Sequence, residues 1–142
     1  MRVLGVDVGR RRIGLAVSDA TGTLATPLQT VQLRPGKRPP LAKIEGIARG
    51  LGVEHLVVGL PLDAQGRENA WCAEVRELGE QLGERLGVKV SFVDERFTSR
   101  RAERAVRALG LPRAKRQEKN RVDRAAAQLI LQAFLDRPEI AR

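Results

Sequence analysis

VLGVDVGRRRIGLAVSD, residues 3–19, is the stretch on which the reading of the fold turns. Residues 2–8 form a short run rich in Val and Leu that is apolar at nearly every position, which predicts a central strand covered on both faces. Residues 9–12 make a tight polar turn, and residues 13–18 return as a second apolar run, so the pair predicts a β-hairpin. Asp7 stands inside the first run. Aspartate has low strand propensity and is costly to bury without a partner. A hydrogen bond to the turn at Gly9 would satisfy it locally, and a metal ion or substrate would satisfy it better.

The same patterning extends down the chain. Residues 24–31 predict a third strand, weakened in its middle by Pro27. RPGKRPP at 34–40 is too rich in Pro and Gly to be regular. Leu41, Ile44, Ile47, Ala48 and Leu51 recur at helical spacing up to Gly52. Residues 53–60 contain a buried strand, HLVVGL, closed by Pro61. A turn at 63–66 leads into a helix over 68–86 that stops at Gly87, and 88–93 is a further strand. Thr98 or Ser99 caps a helix running to Leu109, residues 110–119 form a basic loop, and a last helix spans about 121–135. The order β-β-β-α-β-α-β-α-α predicts an α/β fold, a mixed five-stranded sheet flanked by helices, with three antiparallel strands preceding the α-β alternation. No repeat or linker divides the 142 residues, so one domain, 1–142, is expected.

Net charge is +9, and its location matters more than its size. From Arg96 to Arg124 there are eleven Lys and Arg against Glu103, Glu118 and Asp123, so this segment alone carries +8. A local, one-signed block predicts a polyanionic partner, nucleic acid, rather than merely solvated helix faces. Trp71, Phe92, Phe97 and Phe134 are too few for extensive base stacking, which favours contacts to the backbone. No apolar run is long enough for a membrane span, and the N-terminus does not read as a signal peptide. A lone cysteine, Cys72, leaves no internal disulfide and suits a reducing, cytoplasmic setting.

Two further acids compete for a role beside Asp7. DER follows the strand at 88–93, where sites form beyond the carboxyl ends of parallel strands, and the residues alone leave Asp94 and Glu95 equally placed. Either could instead pair with Arg96. Asp123 falls in the first turn of the last helix, on the side of Ala126, Ala127, Ile130 and Phe134; it could instead serve the helix terminus, but an acid on the buried face of a basic segment favours a site. Hard divalent ions take oxygen ligands and keep several waters, so two or three carboxylates suffice for Mg2+ or Mn2+. His55 opens a buried strand and reads as structural. Cys72 has neither a second cysteine nor a nearby histidine for thiol chemistry.

Four blocks, VLGVDVGRRRIGLAVSD (3–19), VVGLPLDAQGRE (57–68), VDERFTSRRAE (93–103) and KNRVDRAAAQLILQAFLD (119–136), resemble in order and spacing the YqgF/RuvX family over essentially the whole chain. That family is described as pre-16S rRNA nucleases and Holliday junction resolvases. The resemblance implies an RNase H-like fold and metal-dependent phosphodiester hydrolysis, with Asp7, Glu95 and Asp123 as catalytic and metal-binding acids. It favours Glu95 over Asp94, and it implies 5′-end processing of pre-16S rRNA in ribosome biogenesis. Two departures stand out: Asp63 adds negative charge near the expected groove, and DERFTS replaces the commoner DERLTT.

Arg11, Arg12, Arg67, Arg96, Arg100, Arg101, Lys115, Arg116 and Lys119 are the candidates to hold phosphates. A resolvase acting on branched DNA would benefit from a symmetric homodimer, for which the helix around Trp71 and Cys72 offers a face. Two other classes compete with the nuclease. Asp7-Val8-Gly9 also resembles the first phosphate loop of the actin/sugar-kinase type, but the chain has neither the second loop nor the length for two domains. A non-catalytic nucleic-acid-binding module would leave the acids structural.

Overall fold

The computed structural model describes residues 1–96 and 115–142, with the backbone alone for 115–124. Five strands, β1 (Val3–Val8), β2 (Arg12–Ser18), β3 (Ala25–Gln32), β4 (His55–Leu60) and β5 (Lys89–Asp94), form one sheet in the order β3-β2-β1-β4-β5. The first three are antiparallel, while β4 and β5 run parallel to β1. This is the expected mixed sheet. The central strands β1 and β4 are buried almost throughout, as their unbroken apolar sequences require.

Pro27 is accommodated because β3 is an edge strand and carries an irregularity. Gly14 pairs with Thr30 and Ala16 with Pro27, so β3 sets one extra residue against β2 there. The free side of β3 is partly closed at its start. Gln132 Oε1 accepts from the Ala25 N–H at 2.9 Å, and Gln128 Nε2 donates to the Ala25 C=O at 3.1 Å.

Helices α1 (Leu41–Gly50) and α2 (Ala70–Leu86) cover one face, burying Ile44, Ala48, Val75, Leu78 and Leu82 against Leu4, Val6, Leu56, Val58 and Phe92. α2 starts two residues later than its periodicity suggests, because Asn69 caps it by accepting the Cys72 N–H at 3.0 Å. Gly87 ends it in the left-handed conformation, φ 68°. Cys72 is buried, its thiol directed to the Pro61 carbonyl at 3.3 Å.

Helix α3 (Lys115–Asp136) covers the other face, packing Ala127, Ile130, Leu131 and Phe134 on Val3, Val57 and Val93. It begins six residues before the expected start, within the segment read as a loop. Pro112 is the last helix breaker before it, and the polar run after Pro112 is compatible with helix. The helix expected from Thr98 or Ser99 to Leu109 lies outside the described residues. Among the described residues no helix is long and apolar enough to cross a membrane.

Candidate active site

The carboxyl ends of the parallel strands β1, β4 and β5 lie side by side, and two of the three expected acids are placed there. Asp7 is the penultimate residue of β1. Glu95 directly follows β5, its N–H donating to the Leu60 carbonyl at 3.2 Å. Side chains alternate between faces along a strand. Val6, Val8, Val58 and Phe92 point to α1 and α2, whereas Val57 and Val93 point to α3, so Asp7 and Gly59 fall on the α3 face.

Asp7 on β1 and Glu95 directly after β5 are separated by β4, a span of roughly 10 Å at ordinary strand spacing. Their carboxyl groups nevertheless hydrogen-bond to each other. Gly59 of β4 makes this possible. A β-carbon there would stand 2.7 Å from Glu95 Oε2 and 2.6 Å from Ile130 Cδ1, closer than any real contact. The missing side chain is the room through which the Glu95 carboxyl reaches Asp7. Sequence reasoning passed over this residue, although a glycine in the buried run HLVVGL signals close approach of another group.

Burial, the charge and hydrogen bond of Asp7, and the charge of Asp94 raise the pKa of Glu95 from 4.5 to about 9. The half-buried pair therefore retains a proton at neutral pH. Asp94 has a different fate. Its carboxylate accepts from Arg96 Nε at 2.9 Å and Nη2 at 2.7 Å and from the Arg96 N–H at 3.0 Å. Burial opposes ionisation of Asp94, but these bonds prevail and hold it below the ordinary carboxylate range. The two adjacent acids are thus divided between an ion pair and the pocket beside Asp7.

Asp123 belongs to α3, and of it only the backbone is described. The helix runs back from the carboxyl ends of the parallel strands: Ile130 lies against Gly59, and Phe134 meets His55 at the start of β4, ring centroids 5.3 Å apart. Asp123 precedes Ile130 by two turns, roughly 10 Å of helix, and so lies toward the end of the sheet that carries Asp7 and Glu95. Among the described residues no group of three His, Cys, Asp or Glu could hold a metal ion. The Asp7–Glu95 pair offers only oxygen donors, which suits a hard divalent cation, and a third ligand would have to come from beyond it.

The expected phosphate-binding cations are dispersed. Arg11 is exposed on the β1–β2 turn, Arg12 is half-buried at the start of β2, and Arg67 is exposed before α2. Arg96 is engaged with Asp94, and its Nη1 also reaches the Ala64 carbonyl at 3.4 Å. Arg100 and Arg101 lie outside the described residues, while Lys115, Arg116 and Lys119 are placed by their backbone in the first turns of α3. Asp63 turns inward on its own loop, accepting the N–H groups of Gln65 and Arg67, each at 2.9 Å. His55 is structural, as expected. It is buried, with Nε2 2.8 Å from Ser91 Oγ, and burial together with Lys89 lowers its pKa.

Residues 1–137 match the family model described as RuvX: Holliday junction resolvase. A protein of Anaplasma marginale, provisionally named a pre-16S rRNA nuclease, is 44% identical over 135 residues, 95% of this chain and 84% of its own length. One of Koribacter versatilis with the same name is 43% identical over 141 residues, 99% of this chain and 90% of its own. Among solved structures, Thermus thermophilus RuvC superposes with a TM-score of 0.59 at 20% identity, covering 100% of this chain and 99% of that one. That likeness establishes an RNase H-like fold. Placed by the extent of its match and by its relatives, the chain belongs to the RuvX family.

Proposed function

We propose that this chain is a divalent-metal-dependent nuclease that hydrolyses phosphodiester bonds, acting in the cytoplasm on the 5′ end of pre-16S rRNA. The observation that carries the proposal is the contact of Asp7 with Glu95 across Gly59, at the carboxyl ends of parallel strands, in a RuvX-family chain. Two carboxyl groups pressed together with a raised pKa are unfavourable in isolation and compatible with a cation of +2 charge. Asp7, Glu95 and Asp123 would hold Mg2+ or Mn2+, which supplies charge to activate water and to stabilise the departing oxygen. The chain's own part is to fix the carboxyl groups: β1 and the turn after β5 carry two of them, and α3 covers the sheet beneath. Arg11, Arg12 and Arg67, on the turn after β1, at the start of β2 and before α2, would contact the phosphate backbone.

A 5′-extended 16S rRNA precursor, a four-way DNA junction and an unstructured RNA, each offered with Mg2+ and with Mn2+, test the reading. Metal-dependent cleavage of the precursor at one position is expected. Preferential cutting of the junction would assign the chain to branched DNA, where the family description points. Binding of all three with no cleavage would leave a nucleic-acid-binding module.

A further inference from the structure

On the face of the sheet opposite Asp7 lies a cleft of about 990 Å3, between the β3–α1 connection and the outer side of α2. The connection is stiff. Pro35, Pro39 and Pro40 each fix φ, and Gly36, at φ 73°, sits in a turn closed by the Lys37 N–H to the Arg34 carbonyl at 3.0 Å. The Leu33 N–H ties its start to the Arg11 carbonyl of the β1–β2 turn at 2.8 Å. Arg34, Lys37 and Arg38 therefore stand along one wall, exposed and without an ion pair among the described residues. At the mouth, the Arg10 guanidinium lies 4.4 Å over the ring of Trp71. The facing wall is acidic: Glu74 and Glu77 are exposed, and Glu77 accepts from Gln81 at 3.3 Å.

We propose that this cleft is a subsite for a single-stranded segment of nucleic acid, with phosphates on the loop cations and base edges toward α2. The two walls decide the class of ligand. A duplex carries phosphates on both flanks and would bring some of them against Glu74 and Glu77, and an acidic peptide meets the same repulsion. A single strand has one anionic edge and one edge of bases, which carries N–H donors beside its carbonyl and ring-nitrogen acceptors. The exocyclic amino groups of cytosine and adenine are matched by carboxylate acceptors, whereas uracil has no such amino group. Trp71 adds one aromatic surface, and Arg10, seated over its ring, joins the cleft to the turn that follows β1, the strand that carries Asp7. Contacts to bases are thus confined to a site with one indole, in a chain whose scarcity of aromatics otherwise points to backbone binding.

The inference rests on the nucleic-acid part of the nuclease reading, and its test needs neither metal nor cleavage. Trp71 is the only tryptophan, so its emission reports occupancy of the cleft. The full chain in EDTA is titrated with oligocytidylate and oligouridylate of about ten nucleotides, within the site sizes typical of single-strand binders. Saturable change of emission is expected, with oligocytidylate bound about tenfold more tightly. Replacing Arg34, Lys37 and Arg38 together by Ala should lower the slope of log K against log salt by about 2, at roughly 0.7 per phosphate. Glu74→Ala with Glu77→Ala should abolish the preference for cytosine. Both sets are exposed, so thermal melts should stay close to the parent and confirm folding.

Emission that stays fixed while a labelled oligonucleotide binds would overturn the proposal, as would an unaltered salt slope in the triple variant. Equal binding of a duplex, or polyglutamate moving the emission as strongly, would assign the cleft to another class. Failure to cleave any substrate, with the cleft titration intact, would sink the nuclease reading and leave this one standing.

Discussion

The Glu95 carboxyl meets that of Asp7 across the full width of β4, in the space a side chain at residue 59 would fill. One acid stands on β1, the other directly after β5, and β4 between them contributes an absence. This arrangement makes the acids strongly interdependent, and several consequences can be measured.

The first concerns pH. Below about 4.5 the Glu95 carboxyl is protonated in both the folded and unfolded chain, so it contributes no difference in stability there. Between 4.5 and about 9 the unfolded chain gives up this proton while the folded one keeps it, so stability falls as pH rises through that window. Glutamine mimics the protonated acid. In EDTA, Glu95→Gln should match the parent near pH 4 and exceed it at pH 8 by about 1–2 kcal/mol in denaturant titrations. A parent that remains the more stable at pH 8 would contradict the raised pKa.

Asp7→Asn removes a charge from the pair while keeping its shape. The fold should persist by circular dichroism, and metal-dependent cleavage should fall by roughly 10²–10³-fold, as for loss of a group that stabilises the transition state. Millimolar Mn2+ should raise the melting temperature of the parent and leave that of Asp7→Asn nearly unmoved. Undiminished cleavage would take Asp7 out of the chemistry.

Gly59→Ala places a methyl group against both Glu95 and Ile130. Overpacking of this kind costs about 1–3 kcal/mol, and it should also blunt the stabilisation by Mn2+. Adding Ile130→Val makes room on the helix side only. Stability should then recover in part while the metal response stays weak. Full recovery of both would show that the glycine serves helix packing alone.

Ser91→Ala leaves buried His55 without its 2.8 Å partner and should cost about 1–3 kcal/mol at neutral pH, read by denaturant titration. The lowered His55 pKa adds a pH signature: the folded chain keeps the ring neutral where the unfolded chain, at 6.5, binds a proton. Stability should therefore fall as pH drops through 6.5, and His55→Phe should flatten that fall.

The architecture was largely readable because its signals are local. Unbroken apolar runs fixed β1 and β4 at the centre, and three-to-four spacing with Gly87 beyond it located the end of α2. What escaped depended on distance in the sequence. The residues alone did not separate Asp94 from Glu95, because the partner that distinguishes them, Asp7, is some ninety residues away. Gly59 escaped because a missing side chain has no periodicity. The early start of α3 was misread because a polar, basic run without apolar spacing looks like loop even where a long helix continues through it.

The two glutamine amides that hold Ala25 bear on what the molecule can become in company. A bare margin of a sheet is a template on which another chain can lay a further strand. Here Gln128 and Gln132 occupy that margin at its first residue, and two positions on Pro27 has no hydrogen to donate. Growth by strand addition is therefore obstructed where β3 begins, so self-association of this protein would have to proceed through side-chain surfaces there rather than through a shared ladder.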